Sequence, residues 1–249
     1  MPSRDTLFTD DSKTIDDFNF DETTAAVFDD MLDRSIPHYR ELQRMMGEIA
    51  AEFSQPNTAV YDLGCSTGIT LDTIRHAIAA TGKPVNLVGL DYSEPMLDRA
   101  RERFAALPDK ERPGLAVADL NYGCVIQNAS VVVLNLTLQF IRPLYRDRLI
   151  RQIAEGLDDN GCLILVEKVL SSDSQLNRLF IKLYYDMKRR NGYSDTEIAR
   201  KREALENVLI PYRIEENVEL LTRNGFAAAD TFFKWYNFAG IVAVKKANQ

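Results

Sequence analysis

The stretch VYDLGCSTG, residues 60–68, ends an apolar run in Asp62 and brackets a short loop with Gly64 and Gly68 before the helical residues Ile69, Ile74 and Ile78. Glycines in such a loop let backbone approach a ligand closely and turn the N–H groups of the helix start toward it. They also serve turn geometry alone, so the loop by itself does not decide between a ligand site and a tight turn. A second apolar run ends in Asp91, 27 positions after Gly64. That is near the spacing at which an acid accepts hydrogen bonds from both hydroxyls of a ribose. Ser93 is a better helix cap than Asp91, which leaves the carboxylate for a ligand. Two further runs end in Asp119 and Asn135, polar groups at the strand ends where open α/β sheets bind ligands. Ser66 takes the place of a middle glycine. Cys65 reads as packing, since no partner base stands near it in the sequence.

Five short apolar runs position these residues: AVYDL (59–63), NLVGL (86–90), LAVAD (115–119), SVVVLN (130–135) and CLILVEK (162–168). They alternate with helical stretches, as in parallel βαβ construction. Uninterrupted runs such as VVVL and LILV suit strands covered on both faces. Helix punctuation lies between them, with Ser93 before Glu94 and Pro95, and Pro143 before Ile150, Ile153 and Leu157. Ahead of the first strand, Ala25, Phe28, Met31 and Leu32, then Leu42, Met45, Met46, Ile49 and Phe53, recur at helical spacing. Beyond Lys168 the spacing predicts helices over roughly 172–190 and 195–208, separated by the Asn-Gly turn signal of Asn191, and a third over 214–223. The end of the chain predicts a closing hairpin through Tyr236 and Asn237. The expected fold is α/β: a seven-stranded, mostly parallel sheet with helices on both faces, a reversed final hairpin and extra N-terminal helices. Residues 1–20 read as an acidic arm, mobile unless it docks, and 21–249 as one domain with a helical insertion at about 172–208.

Composition narrows the function classes. The 249 residues are 45% hydrophobic and 27% charged, which sets aside disordered, collagen-like and coiled-coil readings. No stretch approaches the roughly 18 apolar residues of a bilayer span, and the N-terminus is acidic, so a soluble, cytoplasmic protein is expected, without a membrane partner. The net charge is −7, of which residues 1–33 hold −8, leaving +1 for the other 216; stable binding to nucleic acid is not expected. Three separated cysteines and two histidines argue against a disulfide framework and a metal site. One segment is locally basic: residues 178–202 hold eight Lys or Arg against Asp186, Asp195 and Glu197. Most of those charges read as solvated helix faces.

The strand-end set resembles the Rossmann-like S-adenosyl-L-methionine-dependent methyltransferases. In that superfamily the glycine loop faces the methionine part of the cofactor, the acid after the second strand holds the ribose, and the polar group after the third reads the adenine. Here NLTLQF, residues 135–140, departs from the N-P-P-Y pattern of enzymes that methylate exocyclic base nitrogens. A closer resemblance runs through nearly the whole chain. RDTLF (4–8), RSIPHY (34–39), VYDLGCSTG, VVLNLTLQF (132–140), NGYSDTEIARKREALENV (191–208) and WYNF (235–238) look like the carboxy-S-adenosyl-L-methionine synthases.

That resemblance implies an enzyme that carboxylates the methyl of S-adenosyl-L-methionine with prephenate as donor and releases phenylpyruvate. Its product, carboxy-S-adenosyl-L-methionine, serves a tRNA-modifying carboxymethyltransferase that builds 5-oxyacetyluridine at the wobble uridine. No metal is implied. Carried over, Tyr39, Gly64, Cys65, Ser66, Asp91, Tyr92, Asp119, Leu120 and Asn135 would line the cofactor. Arg202 would reach the new carboxylate from the neighbouring subunit of a homodimer, and Tyr39 and Arg202 are the catalytic candidates. A guanidinium fork suits a carboxylate. An aromatic residue that opens a helix, as Tyr39 does, serves a core equally well. No Asp, His or Glu base is evident for the methyl proton, and departing prephenate is a candidate acceptor. Two other readings share these cofactor residues: a methyltransferase of a small anionic metabolite, and a non-catalytic S-adenosyl-L-methionine-binding partner of a tRNA-modifying enzyme.

Overall fold

The computed structural model describes residues 4–10, 12 and 14–245. Two helices open the chain, α1 (Glu22–Ser35) and α2 (Tyr39–Phe53). The Asp21 side chain caps α1 by accepting from the Thr24 N–H, satisfying a donor that the first turn leaves free. The βα units follow as β1 (Thr58–Leu63), α3 (Ile69–Ala79), β2 (Val85–Asp91), α4 (Glu94–Phe104), β3 (Gly114–Val117), β4 (Ala129–Asn135), α5 (Pro143–Gly156) and β5 (Leu157–Leu170). Then come α6 (Ser174–Arg190), α7 (Asp195–Ala204), β6 (Tyr212–Arg213), α8 (Ile214–Arg223), β7 (Phe226–Trp235) and β8 (Phe238–Lys245).

The strand order is β3-β2-β1-β4-β5-β8-β7, parallel through β5 and antiparallel in the closing β8–β7 hairpin. The expected seven strands are all present. An eighth, the two-residue β6, pairs with the end of β5, too short for its Tyr-Arg pair to stand out from a loop. Helices cover both faces. Leu149, Ile150 and Ile153 of α5 and Leu220 and Leu221 of α8 pack on one side of the central strands; Leu42 and Met46 of α2, Ile74 and Ile78 of α3, and Tyr184 and Met187 of α6 pack on the other. Residues 131–134 of β4 are therefore fully buried, which is why that run carries no polar residue.

Parallel register brings the carboxyl ends of the strands to one edge. Asp62 lies opposite Gly89 and Val133, and Asp91 opposite Val117. Other boundaries differ from the sequence reading for local reasons. β3 stops at Val117, and Asp119 instead caps a short 3₁₀ turn by accepting from the Asn121 N–H. α7 ends at Ala204, after which the chain turns and Asn207 takes a left-handed φ of 65° that a helix cannot accommodate. No helix among the described residues is long and apolar enough to cross a membrane.

The acidic arm is held to the body over its described residues. Asp5 is buried: its N–H donates to Asp30 Oδ2 at 2.7 Å, and its carboxylate accepts from the Tyr193 hydroxyl at 2.6 Å. The Phe18 N–H donates to the Ala204 carbonyl, and Phe20 packs edge-on against Phe28, Tyr92 and Phe140.

Candidate active site

The loop after β1 is anchored to β2 before it meets any ligand. The Gly64 and Cys65 N–H groups both donate to the Leu90 carbonyl, at 2.7 and 3.0 Å. Gly64 has φ +77°, and a Cβ there would overlap the Thr137 side chain, so the position demands glycine on both counts. Cys65 is buried, and a Cβ on Gly89 would lie 2.8 Å from its Sγ. Burial beside Asp62 and Asp91 also drives its thiol pKa up, which removes it as a nucleophile and supports the packing role. Ser66 sits at φ 49° where a glycine would be relaxed.

Asp91 is the hinge of this arrangement. Its Oδ2 accepts from the Ser66 N–H and its Oδ1 from the Ser93 N–H, each at 2.9 Å. These bonds tie the glycine loop to the start of α4 and fix the carboxylate, whose remaining lone pairs can accept further hydrogen bonds. Burial raises its pKa, with the Ser93, Ser66 and Tyr92 backbone N–H groups opposing that shift. Beside it, burial and the Asp91 charge push Asp62 up to about 7. Two carboxylates in this low-dielectric corner favour a cationic or donor-rich ligand.

Three acceptor oxygens in this neighbourhood are buried without a donor among the described residues: Asp62 Oδ2, Asn135 Oδ1 and Gln43 Oε1. The amide nitrogens of Asn135 and Gln43 both donate to Thr70 Oγ1, at 3.0 and 3.1 Å, which aims their oxygens away from it. Of the three residues only Asn135 lines the cavity at the strand ends, where its acceptor fits a donor-bearing ligand such as an adenosyl sulfonium amino acid. Tyr39 is buried at the start of α2; burial, then the Asp29 charge, raises its hydroxyl pKa and holds it as a neutral donor. Glu167 supports the fourth strand end from behind. Its carboxylate accepts from the Leu138 and Gln139 N–H groups at 3.0 and 2.8 Å, fixing the turn after Asn135. Burial pushes it up to about 8.

Tyr39, Gly64, Cys65, Ser66, Asp91, Tyr92, Asp119, Leu120 and Asn135 all line one cavity at the carboxyl ends of the strands. Arg202 does not: it lies exposed on α7 and lines a second, adjoining cavity of its own chain. Phe18 and Phe20 of the arm, Thr70, Lys168 and Lys201 also line the first cavity and were missed. Two phenylalanines in an otherwise polar arm, and a lysine ending the fifth apolar run, were the available signals. Most of the charges of residues 178–202 do lie on solvated faces, but Lys188 and Lys201 are 3% and 7% exposed, turned inward by the packing of α6 and α7. Among the described residues, no group of three or more His, Cys, Asp or Glu side chains is placed to hold a metal ion.

A methyltransferase domain family matches residues 61–163. The carboxy-S-adenosyl-L-methionine synthase of Methylococcus capsulatus is 55% identical over 98% of this chain and 100% of its own length. That of Sulfurimonas denitrificans is 44% identical over 92% of this chain and 94% of its own. Among solved structures, an O-methyltransferase family protein from Burkholderia thailandensis aligns with 96% of this chain and 67% of its own, at a TM-score of 0.67 and 14% identity. Magnesium protoporphyrin IX methyltransferase from Synechocystis, solved with bound SAH, aligns over 87% of both chains at 0.56 and 16%. These structural likenesses carry the Rossmann-like methyltransferase fold, and the near-full-length identities carry the family. With its strand ends gathered at one cavity, the chain belongs to the carboxy-S-adenosyl-L-methionine synthase family.

Proposed function

We propose that the protein converts S-adenosyl-L-methionine and prephenate to carboxy-S-adenosyl-L-methionine and phenylpyruvate. The observation that carries this reading is the 55% identity over the whole length of a relative with that name. The cavity supports it: Asp91 would hold the ribose hydroxyls, Asp119 and Leu120 the adenine, and Asn135 and Tyr39 the methionine end, each lining the same space.

The atoms balance without a metal or redox partner. Prephenate loses its ring carboxyl as carbon dioxide and its ring hydroxyl as hydroxide while the ring becomes aromatic. The carbon dioxide forms a new carbon–carbon bond to the sulfonium methyl, which gives up one proton, and that proton with the hydroxide makes water. The donor thus supplies its own base. The protein would contribute orientation, about 7 kcal/mol or more in favourable cases, and exclusion of water while carbon dioxide is captured. Phe18 and Phe20 of the arm would supply part of that exclusion.

The rest of the reading belongs to a cytoplasmic homodimer built from one domain, residues 21–249, with α6 and α7 as the exchange surface. Arg202 has no hydrogen-bond or ion-pair partner among the described residues of its own chain, which suits a guanidinium that serves the site of a second copy. The product would pass to an enzyme that modifies the wobble uridine of tRNA.

The test is to incubate pure protein with S-adenosyl-L-methionine and prephenate and to weigh the products. Carboxy-S-adenosyl-L-methionine with an equal amount of phenylpyruvate, over many turnovers, is the expected result. S-adenosylhomocysteine and a methylated acceptor would replace this reading with an ordinary methyltransferase.

A further inference from the structure

Three lysines converge where the two cavities meet. Lys168 at the end of β5 and Lys201 of α7 line both cavities, and Lys188 of α6 lines the second. Their ammonium groups lie over aromatic faces: Lys168 Nζ is 4.9 Å from the Tyr184 ring, and Lys188 and Lys201 are 4.7 and 6.0 Å from the Tyr193 ring. None of the three has a carboxylate within ion-pairing distance among the described residues. Glu206 and Arg202, an acid and a cation, line the second cavity with them, and the other charges that face them are few. Asp5 bears on Lys188 and Lys201, but it already accepts from the Tyr193 hydroxyl; Glu197 bears on Lys188, but it is bound to Ser194 in the cap of α7. Arg34 adds positive charge, offset by its own pair with Asp30. With Glu206 and Arg202 cancelling, a net positive excess stands in a desolvated corner; burial pushes Lys168 down to about 8, and burial with repulsion from neighbouring cations pushes Lys188 to about 7 and Lys201 to about 8.

A second observation points at a ligand. Asn237, in the β7–β8 turn, is 3% exposed and lines the second cavity, yet both its side-chain oxygen and nitrogen are buried without a partner among the described residues. Buried amides are ordinarily satisfied, so a donor and an acceptor here await something that enters the cavity. Uncompensated ammonium groups beside an unsatisfied amide match a carboxylate flanked by a second oxygen, the end group of a 2-oxo acid.

Resting on the function proposed above, we propose that Lys168, Lys188, Lys201 and Asn237 form the subsite for the 2-oxo acid side chain of the carboxyl donor. The choice between the donor's two carboxylates follows from its chemistry. Losing carbon dioxide disperses the charge of the ring carboxylate, so cations fixed on that group would stabilise the ground state more than the transition state. The side-chain carboxylate is untouched by the reaction, and gripping it orients the ring without that penalty. It also persists in phenylpyruvate, so donor and by-product share the subsite.

Calorimetric titration of the full-length protein loaded with S-adenosylhomocysteine tests this, with prephenate and phenylpyruvate as probes. Wild type is expected to bind both and to take up protons near neutral pH, since a bound carboxylate recharges the lysines. Lys188→Met, outside the first cavity, is expected to weaken both probes by about tenfold or more while S-adenosyl-L-methionine affinity stays within about twofold. Lys182→Met, an exposed cation on the same helix, is expected to change neither. Met fills a lysine-sized space, and a circular-dichroism melt shows whether the variant folds; should it not, Asn237→Ala repeats the test on the neutral member. Unchanged probe binding in a folded Lys188→Met, or no binding of either probe to wild type, overturns the subsite. Intact, lysine-dependent binding with no product formed would remove the proposed reaction and leave the subsite standing.

Discussion

Replacing Asp91 by alanine separates its two duties, which the geometry makes countable. Toward the protein, its oxygens accept from the Ser66 and Ser93 N–H groups at 2.9 Å, and its removal leaves both donors in a region where the carboxylate itself was 6% exposed. Each buried donor left unpaired costs about 1–3 kcal/mol, less where water from the cavity reaches it, so the melting temperature should fall. Toward the ligand, a hydrogen bond to a charged group contributes about 1.5–3 kcal/mol. The affinity for S-adenosyl-L-methionine should therefore drop by about 10- to 160-fold. Asp91→Asn divides the effect further, because the amide keeps the shape and one acceptor but opposes an N–H with an NH₂. Its affinity should lie between wild type and Asp91→Ala. Because burial raises the Asp91 pKa, and only the ionised form accepts from both hydroxyls, wild-type affinity should also weaken on acidification. Isothermal titration on samples shown folded by circular dichroism is the assay. Affinity within about twofold of wild type in both folded variants would refute Asp91 as the ribose ligand.

Other outcomes test neighbouring parts. Gly64→Ala should lose about 1–3 kcal/mol of stability from backbone strain together with Cβ overlap on Thr137, whereas Gly82→Ala, at φ +71° with no atom within 4 Å, should show the backbone part alone; equal losses on denaturant titration would mean that the Thr137 contact is not felt. Arg202→Ala should weaken carboxy-S-adenosyl-L-methionine far more than S-adenosyl-L-methionine, and equal losses in a titration of the two would contradict its carboxylate role. Stability should rise with alkalinity between about pH 7 and about pH 9, since the folded chain holds fewer protons on Lys168, Lys188 and Lys201, at about 8, 7 and 8, than the unfolded chain with its lysines near about 10.4. The buried carboxyls of Asp62 and Glu167, raised to about 7 and 8, act oppositely from about pH 4 up to those values, because the unfolded chain has already released their protons, and so offset part of the rise in the lower half of the window. Lys188→Met should flatten the alkaline rise in urea melts, and an unchanged slope would mean that Lys188 stays charged in the folded chain.

Much of this was legible in the sequence because parallel sheets write their geometry locally. An apolar run followed by one polar residue and a turn is enough to place Asp91 and Asn135 at the same edge, and the Ser93 cap of α4 and the Pro143 start of α5 fall where the punctuation indicates. Asp119 reached the cavity although its strand ends two residues earlier, since a 3₁₀ turn carries the chain on along the same rim. What stayed hidden depends on long-range packing. Lys188 and Lys201 sit in a run of charges that reads as solvent-facing, and only the meeting of α6, α7 and the arm turns them inward. Phe20 lies in a polar segment with no period, and its ring contacts with Tyr92 and Phe140 join segments far apart in the chain. The two-residue β6 exists only because β5 runs long enough to offer it an edge.

The most direct trial of the chemistry is to follow the donor's carbon. Prephenate labelled with carbon-13 in its ring carboxyl, incubated with S-adenosyl-L-methionine and the pure protein, should deliver that carbon into the new carboxylate next to the sulfonium, with unlabelled phenylpyruvate as the by-product. Label recovered only as free carbon dioxide or bicarbonate, with the sulfonium methyl unaltered or passed to another acceptor, would contradict carboxyl transfer in this cavity.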